Sequence, residues 1–281
     1  MKATVAIALY AVAVVVLSAA AAPWVFWAVQ FTNTHWWHSA WLARQPFRRV
    51  LDRTLLVVAL AGLWPLLRAL DLRSWAQLGF PRVPAWRQQL GSGLLVGIGS
   101  LAVAAVLGMV VNGETLGASR PAGRLLGYVG TAAVVALVEE VLFRGGLQGA
   151  LQRCMDRRVG LVVASAVYAV AHFIKPSQVN VPAESVEWSS GFAYLVLAMS
   201  GFARTPETWV ALVTLFLAGV ILGWAFLRTQ ALYWSVGLHA GWVFTIKTYS
   251  WMGGGNLLQH VVVWPVLIGV FFVVRTLCRK Y

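Results

Sequence analysis

About eight apolar runs follow one another along this chain, each close to the ~20 residues an α-helix needs to cross a hydrocarbon core. They cover roughly 4–30, 53–70, 91–111, 124–144, 157–174, 207–228, 230–248 and 258–277. The pattern predicts an all-α protein, a polytopic transmembrane helical bundle of about eight spans. Composition agrees: 60% of residues are apolar and 11% charged, whereas a soluble domain carries about 25% charge. Fifteen tryptophans fit the aromatic belts of a membrane–water interface.

The net charge of +13 would raise nucleic acid as a partner in a soluble protein. Here most Arg and Lys flank apolar runs, where they serve as topology and headgroup anchors. No basic run is interleaved with aromatics on a soluble segment, so the expected partner is the lipid bilayer and not nucleic acid. Cys154 and Cys278 are far apart in the chain and form no metal or disulfide pattern.

The first run opens with Lys2 and contains Ala19-Ala20-Ala21-Ala22, as a secretory signal does. Its apolar stretch continues through Trp24, Val25, Phe26 and Trp27, which favours a retained anchor helix. Segment 71–90 is amphipathic, basic and broken by prolines, and is expected to lie along the interface. Residues 1–90 therefore read as N-terminal membrane helices plus an interfacial segment, and 91–281 as a core. The stretch 175–206 is the longest polar interruption. It carries Glu184 and Glu187 and a short apolar piece, Phe192 to Met199, which reads equally as a lid or as a plain connector. Arg153, Arg157, Arg158, Arg275, Arg279 and Lys280 place their ends in the cytoplasm, whereas Arg44, Arg48, Arg49 and Arg53 then fall outside, against the rule. No internal repeat points to a transporter of inverted halves.

Only nine acidic residues occur, and two of them, Glu139 and Glu140, are neighbours inside the run from Val129 to Arg144. An ionisable side chain there costs about 2.5–3.5 kcal/mol on insertion scales. On a helix, residues four apart share a face while adjacent residues point about 100° apart. Glu140 and Arg144 are therefore partners, with the acid N-terminal to the base. Glu139 points elsewhere and is expected to face a cavity, where it accepts a proton as a general base. A purely structural cluster is the alternative. His35, His38 and His260 lie near predicted helix ends, where histidine needs no special reason. His172 and His239 lie in or at the end of apolar helices, with Tyr168 one turn before His172. Polar groups at that depth face inward and find one another.

Glu139-Glu140-Val-Leu-Phe-Arg144 has the form EExxxR, Tyr168-Ala-Val-Ala-His172 the form [FY]xxxH, and His239 opens a third polar helix motif. In this order on three apolar helices, the chain resembles the CPBP family of intramembrane proteases, which comprises CAAX prenyl endopeptidases and the bacteriocin-processing or self-immunity (Abi) proteins. The resemblance covers about residues 124–248. It implies that Glu139, with His172, activates a water that attacks the scissile carbonyl. It makes Glu140 and Arg144 the structural pair and has His239 stabilise the oxyanion. The family often carries Asn or Asp four residues after that histidine; here Val243 stands there. Ser235, one turn earlier, or a backbone N–H is the candidate substitute.

Glu and His can also hold zinc. The chain lacks an H-E-x-x-H pair, so a glutamate-activated water is preferred to a divalent metal and no cofactor is expected. The resulting expectation is an intramembrane endopeptidase of an integral multi-pass membrane protein (cell membrane if bacterial), cleaving a membrane-associated peptide or protein near its C-terminal end. The rivals are a weakened relative acting as an immunity or binding protein, and a proton-coupled transporter.

Overall fold

The computed structural model describes residues 2–117, 123–173, 181–200 and 205–278. It is helical, with no strand among the described residues. The helices are α1 (Lys2–Thr32), α2 (Ala40–Ala43), α3 (Phe47–Ala69), α4 (Trp86–Asn112), α5 (Gly123–Glu140), α6 (Gly149–Leu151), α7 (Arg157–Ala171), α8 (Ser190–Ser200), α9 (Pro206–Thr229), α10 (Tyr233–Trp251) and α11 (Val263–Leu277). Every predicted apolar run carries a helix among the described residues. Five stretches are long and apolar enough to cross a membrane: Val5–Trp37, Phe47–Ala69, Trp86–Val111, Gly123–Leu151 and Pro206–Thr229. The protein is an integral membrane protein. The remaining three runs fall short of that measure for physical reasons. Helices α7 and α11 have 15 residues each, about 22 Å against a core of about 30 Å. Helix α10 carries His239, Lys247 and several hydroxyls that lower its apolarity.

The chain divides into two compact units, one of Met1–Asp71 with Val170–Arg204 and the other of Leu72–Ala169 with Thr205–Tyr281. In the first, α1 packs on α3 and α8. The alanine run of the first helix is a packing face: Ala19 and Ala22 are fully buried, and a Cβ on Gly191 of α8 would lie 2.0 Å from the Ala19 carbonyl oxygen. Phe26, Phe47 and Tyr194 stack edge to face over this contact. The apolar piece at Phe192 thus belongs to an 11-residue helix laid on α1, too short to cross. Residues 175–180 and 201–204 of the predicted interruption lie outside the described residues.

The second unit is built on α4 and α10, which run parallel through paired glycines. A Cβ at Gly93 would sit 2.3 Å from the Trp234 carbonyl oxygen and one at Gly97 2.4 Å from that of Leu238. From the other side, a Cβ at Gly237 would sit 2.1 Å from the Leu90 oxygen and one at Gly241 2.6 Å from that of Leu94. Each helix therefore carries a G-x-x-x-G stripe, the device by which membrane helices bring their backbones close. Trp242 Nε1 donates to Ser100 Oγ across the same contact at 3.0 Å. Segment 71–85 is a series of turns rather than a helix. It folds onto the start of α10, with the Leu232 N–H donating to the Gly79 carbonyl at 2.7 Å and the Tyr233 hydroxyl to that of Pro81 at 3.0 Å.

Candidate functional site

His239 lies midway between Gly237 and Gly241 in sequence. Two residues along a helix is a rotation of about 200°, so the stripe that holds α10 against α4 turns His239 to the opposite side. There it meets the end of α5. His239 Nδ1 is 2.9 Å from Glu140 Oε1, and Nε2 is 3.8 Å from Glu139 Oε2. One imidazole thus stands between two neighbouring carboxylates.

Glu140 is fully buried and pairs with Arg144 at 3.1 Å, as the four-residue spacing predicts. The guanidinium also donates to the Gly219 carbonyl of α9 at 3.3 Å and lies 4.3 Å from the centre of the Tyr168 ring. A carboxylate paired with Arg144 only accepts, so the tautomer that satisfies this contact is the one in which His239 Nδ1–H donates to Glu140. Tyr168 stands edge-on to Phe143, with ring centres 5.1 Å apart, and to His239 at 6.2 Å. It closes the apolar side of the cluster.

Glu139 differs from its neighbour in access. Its side chain keeps 19% exposure where that of Glu140 keeps none, so of the two carboxylates only Glu139 can be reached by a small molecule. The adjacent acids point differently, as helical geometry requires, but the helix changes pitch beside them. From Val141 to Gln148 it is π-helical, a form that recurs at functional sites. Gly145 lets the widened turn approach the Leu78 carbonyl, to which a Cβ would come within 2.6 Å.

Gln148, which the sequence reading did not single out, extends the buried row beyond Arg144. Its Nε2 donates to the Gly223 carbonyl at 3.0 Å, one turn after the carbonyl that Arg144 uses. The signal was available: Glu140, Arg144 and Gln148 are spaced by four. Gly219 and Gly223 of α9 supply the close approach, since a Cβ at either would meet Ser165 at 3.0 Å or the Gln148 amide at 2.5 Å.

His172 follows the last residue of α7, one turn beyond Tyr168, is partly buried and falls in the first unit. Val243 is partly buried and offers no donor. Ser235, offered as its substitute, is fully buried with its hydroxyl donating to the Leu232 carbonyl at 3.1 Å, a bond of its own helical turn. Among the described residues, no three of His, Cys, Asp and Glu are arranged to hold a metal ion.

A second polar cluster ties the loop after α4 to the loop after α10. Glu114 accepts from the Tyr249 hydroxyl and from the Gly255 N–H at 3.2 Å, and faces His260 Nε2 at 3.2 Å. Glu114 is held below the usual carboxylate range by the Tyr249 bond first, then by the Gly255 amide, with a smaller contribution from His260.

The fold and cluster together define a helical membrane protein with a buried acid–imidazole–acid centre. Residues 121–245, which carry that centre, match the family model described as type II CAAX prenyl endopeptidase, Rce1-like. This match is to the family that the three motifs implied, and it supports a CAAX-type intramembrane endopeptidase in general. No curated protein matches the chain, and no solved structure matches it.

Proposed function

We propose that the protein is a multi-pass intramembrane endopeptidase in which Glu139 activates a water to cleave a peptide bond of a membrane-associated substrate near its C-terminal end. The observation that carries this reading is the unequal pair. Glu140 is buried and neutralised by Arg144, while Glu139 beside it retains access and faces an imidazole. A merely structural cluster needs one carboxylate for Arg144 and would not maintain a second at a cost of about 2.5–3.5 kcal/mol.

In this reading Glu139 takes a proton from water as the oxygen attacks the scissile carbonyl carbon. Glu140 and Arg144 fix the helix end and orient His239. The resemblance adds His172 to the same water, a role its own variant tests. No metal is invoked. The matched family's description names a prenyl endopeptidase, so a peptide with a prenylated cysteine three residues from its C-terminus is the first substrate to try.

The test compares the membrane proteomes of cells expressing wild type or Glu139→Gln, with new peptide termini read by mass spectrometry, with and without a chelator. Termini made by wild type alone, and persisting under chelator, are expected. Identical termini in the two strains at equal expression would sink the endopeptidase. Val243 keeps a second reading in view, a weakened relative that binds rather than cuts; its biological effect would survive Glu139→Gln.

A further inference from the structure

We propose that the turn segment 72–87 is a docking surface for anionic phospholipid headgroups, and that headgroup contact there steadies the two elements that bring Glu139 and His239 together. The docking surface stands on its own observations. Its effect on cleavage rests on the endopeptidase reading.

The segment joins Phe47–Ala69 to Trp86–Val111, two stretches long and apolar enough to cross a membrane. A chain that crosses twice places the residues between its crossings at one face of the bilayer. Residues 72–90 contain Arg73, Arg82 and Arg87 and no acid, and all three arginines are exposed. Trp75 is 73% exposed and Trp86 40%, large rings of the kind that settle at headgroup level. The Arg87 guanidinium lies 5.2 Å from the centre of the Trp86 ring, which couples charge to an interfacial aromatic. A neutral lipid surface would cover the tryptophans and leave the charge unanswered. An acidic protein would answer the charge and leave the tryptophans without a reason. An anionic lipid surface satisfies both.

The segment is firmly built. Gln77 Oε1 accepts from the Arg73 and Ser74 N–H groups at 2.7 and 3.0 Å, and Ser74 Oγ accepts from the Gln77 N–H at 3.2 Å. This reciprocal cap fixes the turn that presents Trp75. Gly79 follows at φ +95°, where a Cβ would meet Leu232 at 2.6 Å and Phe226 at 3.0 Å, so only glycine seats the turn there. A row of rings then runs from Trp75 to Phe80, to Tyr233 of α10 and to Trp86, with centres 6.3, 5.7 and 5.9 Å apart.

Two contacts carry the segment to the acid–imidazole centre. The Gly79 carbonyl accepts from the Leu232 N–H at 2.7 Å, just before α10, the helix of His239. The Leu78 carbonyl lies where a Cβ on Gly145 would come within 2.6 Å, and Gly145 follows Arg144 in the π-helical stretch. A lipid surface that holds Arg73, Arg82 and Arg87 therefore holds Leu78 and Gly79 against both elements.

The test uses the full-length protein in phosphatidylcholine vesicles. A bimane label is placed at Ala76→Cys on a Cys154→Ser background, since Ala76 is exposed and Cys278 is buried. A minor share of lipid carries a nitroxide quencher, on phosphatidylglycerol in one arm and on phosphatidylcholine in the other. One arginine near an anionic surface favours it about five-fold, so quenching by labelled phosphatidylglycerol should exceed the other about five-fold or more, and fall as salt is raised. Replacing Arg73, Arg82 and Arg87 together by Gln should abolish the difference, and replacing them by Lys should keep it. Equal quenching by the two lipids overturns the docking surface and leaves the arginines to an acidic protein segment. Loss of the difference in the Lys variant as well overturns headgroup charge as its basis.

Cleavage is read in the same vesicles, with a farnesylated-cysteine peptide free of basic residues so that lipid charge does not concentrate it. Added phosphatidylglycerol should raise the wild-type rate several-fold and leave the Gln variant unchanged. A wild-type rate indifferent to phosphatidylglycerol overturns the steadying role. Wild type that cleaves nothing in either lipid sinks the endopeptidase reading and the effect on cleavage with it, while the quenching decides the docking surface separately.

Discussion

Glu140 and Arg144 illustrate how much a single pair decides. Both are buried, and desolvating two ions is repaid only when each keeps its partners. Arg144→Met strands a carboxylate that then has His239 alone, and is expected to cost about 3–5 kcal/mol, read as a fall in the unfolding midpoint in detergent. The double variant Glu140→Gln with Arg144→Met removes both charges and should recover more than half of that loss. A double variant no more stable than the single one would show that the stacking of Arg144 on Tyr168, rather than charge, holds the site. Gln148 repeats the arrangement without a charge. Gln148→Leu leaves the Gly223 carbonyl bonded within its own helix, so a smaller loss, about 1 kcal/mol, is expected by the same measurement.

Helix register carries the imidazole to the carboxylates. Gly97→Val forces α4 and α10 apart, because its Cβ meets backbone and not a flexible side chain. It should cost about 1–3 kcal/mol as overpacking and lower cleavage with it, since His239 rides on α10. Gly99→Ala is the control: nothing lies within 4 Å of its Cβ, and the helix gains up to about 1 kcal/mol in propensity. Equal behaviour of the two variants in melting and cleavage would refute the glycine contact. The same elements mark what the sequence could tell. The Glu140–Arg144 pair was legible because covalent spacing alone makes it, and the inward turn of His239 because lipid leaves it no other choice. That its two ring nitrogens address two different carboxylates was not legible, because that depends on the interhelix register set at Gly93, Gly97, Gly237 and Gly241. The π-helical stretch was hidden for a similar reason: α and π differ little locally, and the approach of Gly145 to the Leu78 carbonyl selects between them. Nor does periodicity show that Val170–Arg204 joins the first unit, across the intervening stretch Leu72–Ala169.

At the scale of the molecule, the two ends of the second unit differ in charge. Helices α4 and α10 run parallel, and α9 runs with the π-helical stretch, because Arg144 and Gln148 reach Gly219 and Gly223 in the same order. Helix α11 follows α9, with Trp264 bonded to Thr214 near both starts, and α7 opposes it. At the far end Glu114 couples two loops. Its lowered pKa means that it stabilises the fold fully above the usual glutamate value, about 4.3, and that this contribution is lost as pH falls through the lowered value. Glu114→Gln should therefore flatten the unfolding midpoint against pH on the acid side, and an unchanged slope would refute the tie. At the near end, this topology gathers Arg73, Arg82, Arg87, Arg153, Arg157, Arg158, Arg228 and Arg275, all exposed. Asp156, among them, is occupied in capping α7 through the Arg158 and Val159 amides. By the positive-inside rule that end is expected in the cytoplasm, and with it the π-helical stretch behind the site. A native probe already stands there, since Cys154 is exposed while Cys278 is buried. A membrane-impermeant maleimide should leave the protein unlabelled in intact cells and label it in inside-out vesicles, and Cys154→Ser should abolish the signal. Labelling of intact cells at Cys154 would invert the topology, and the substrate would then have to reach Glu139 from the opposite leaflet.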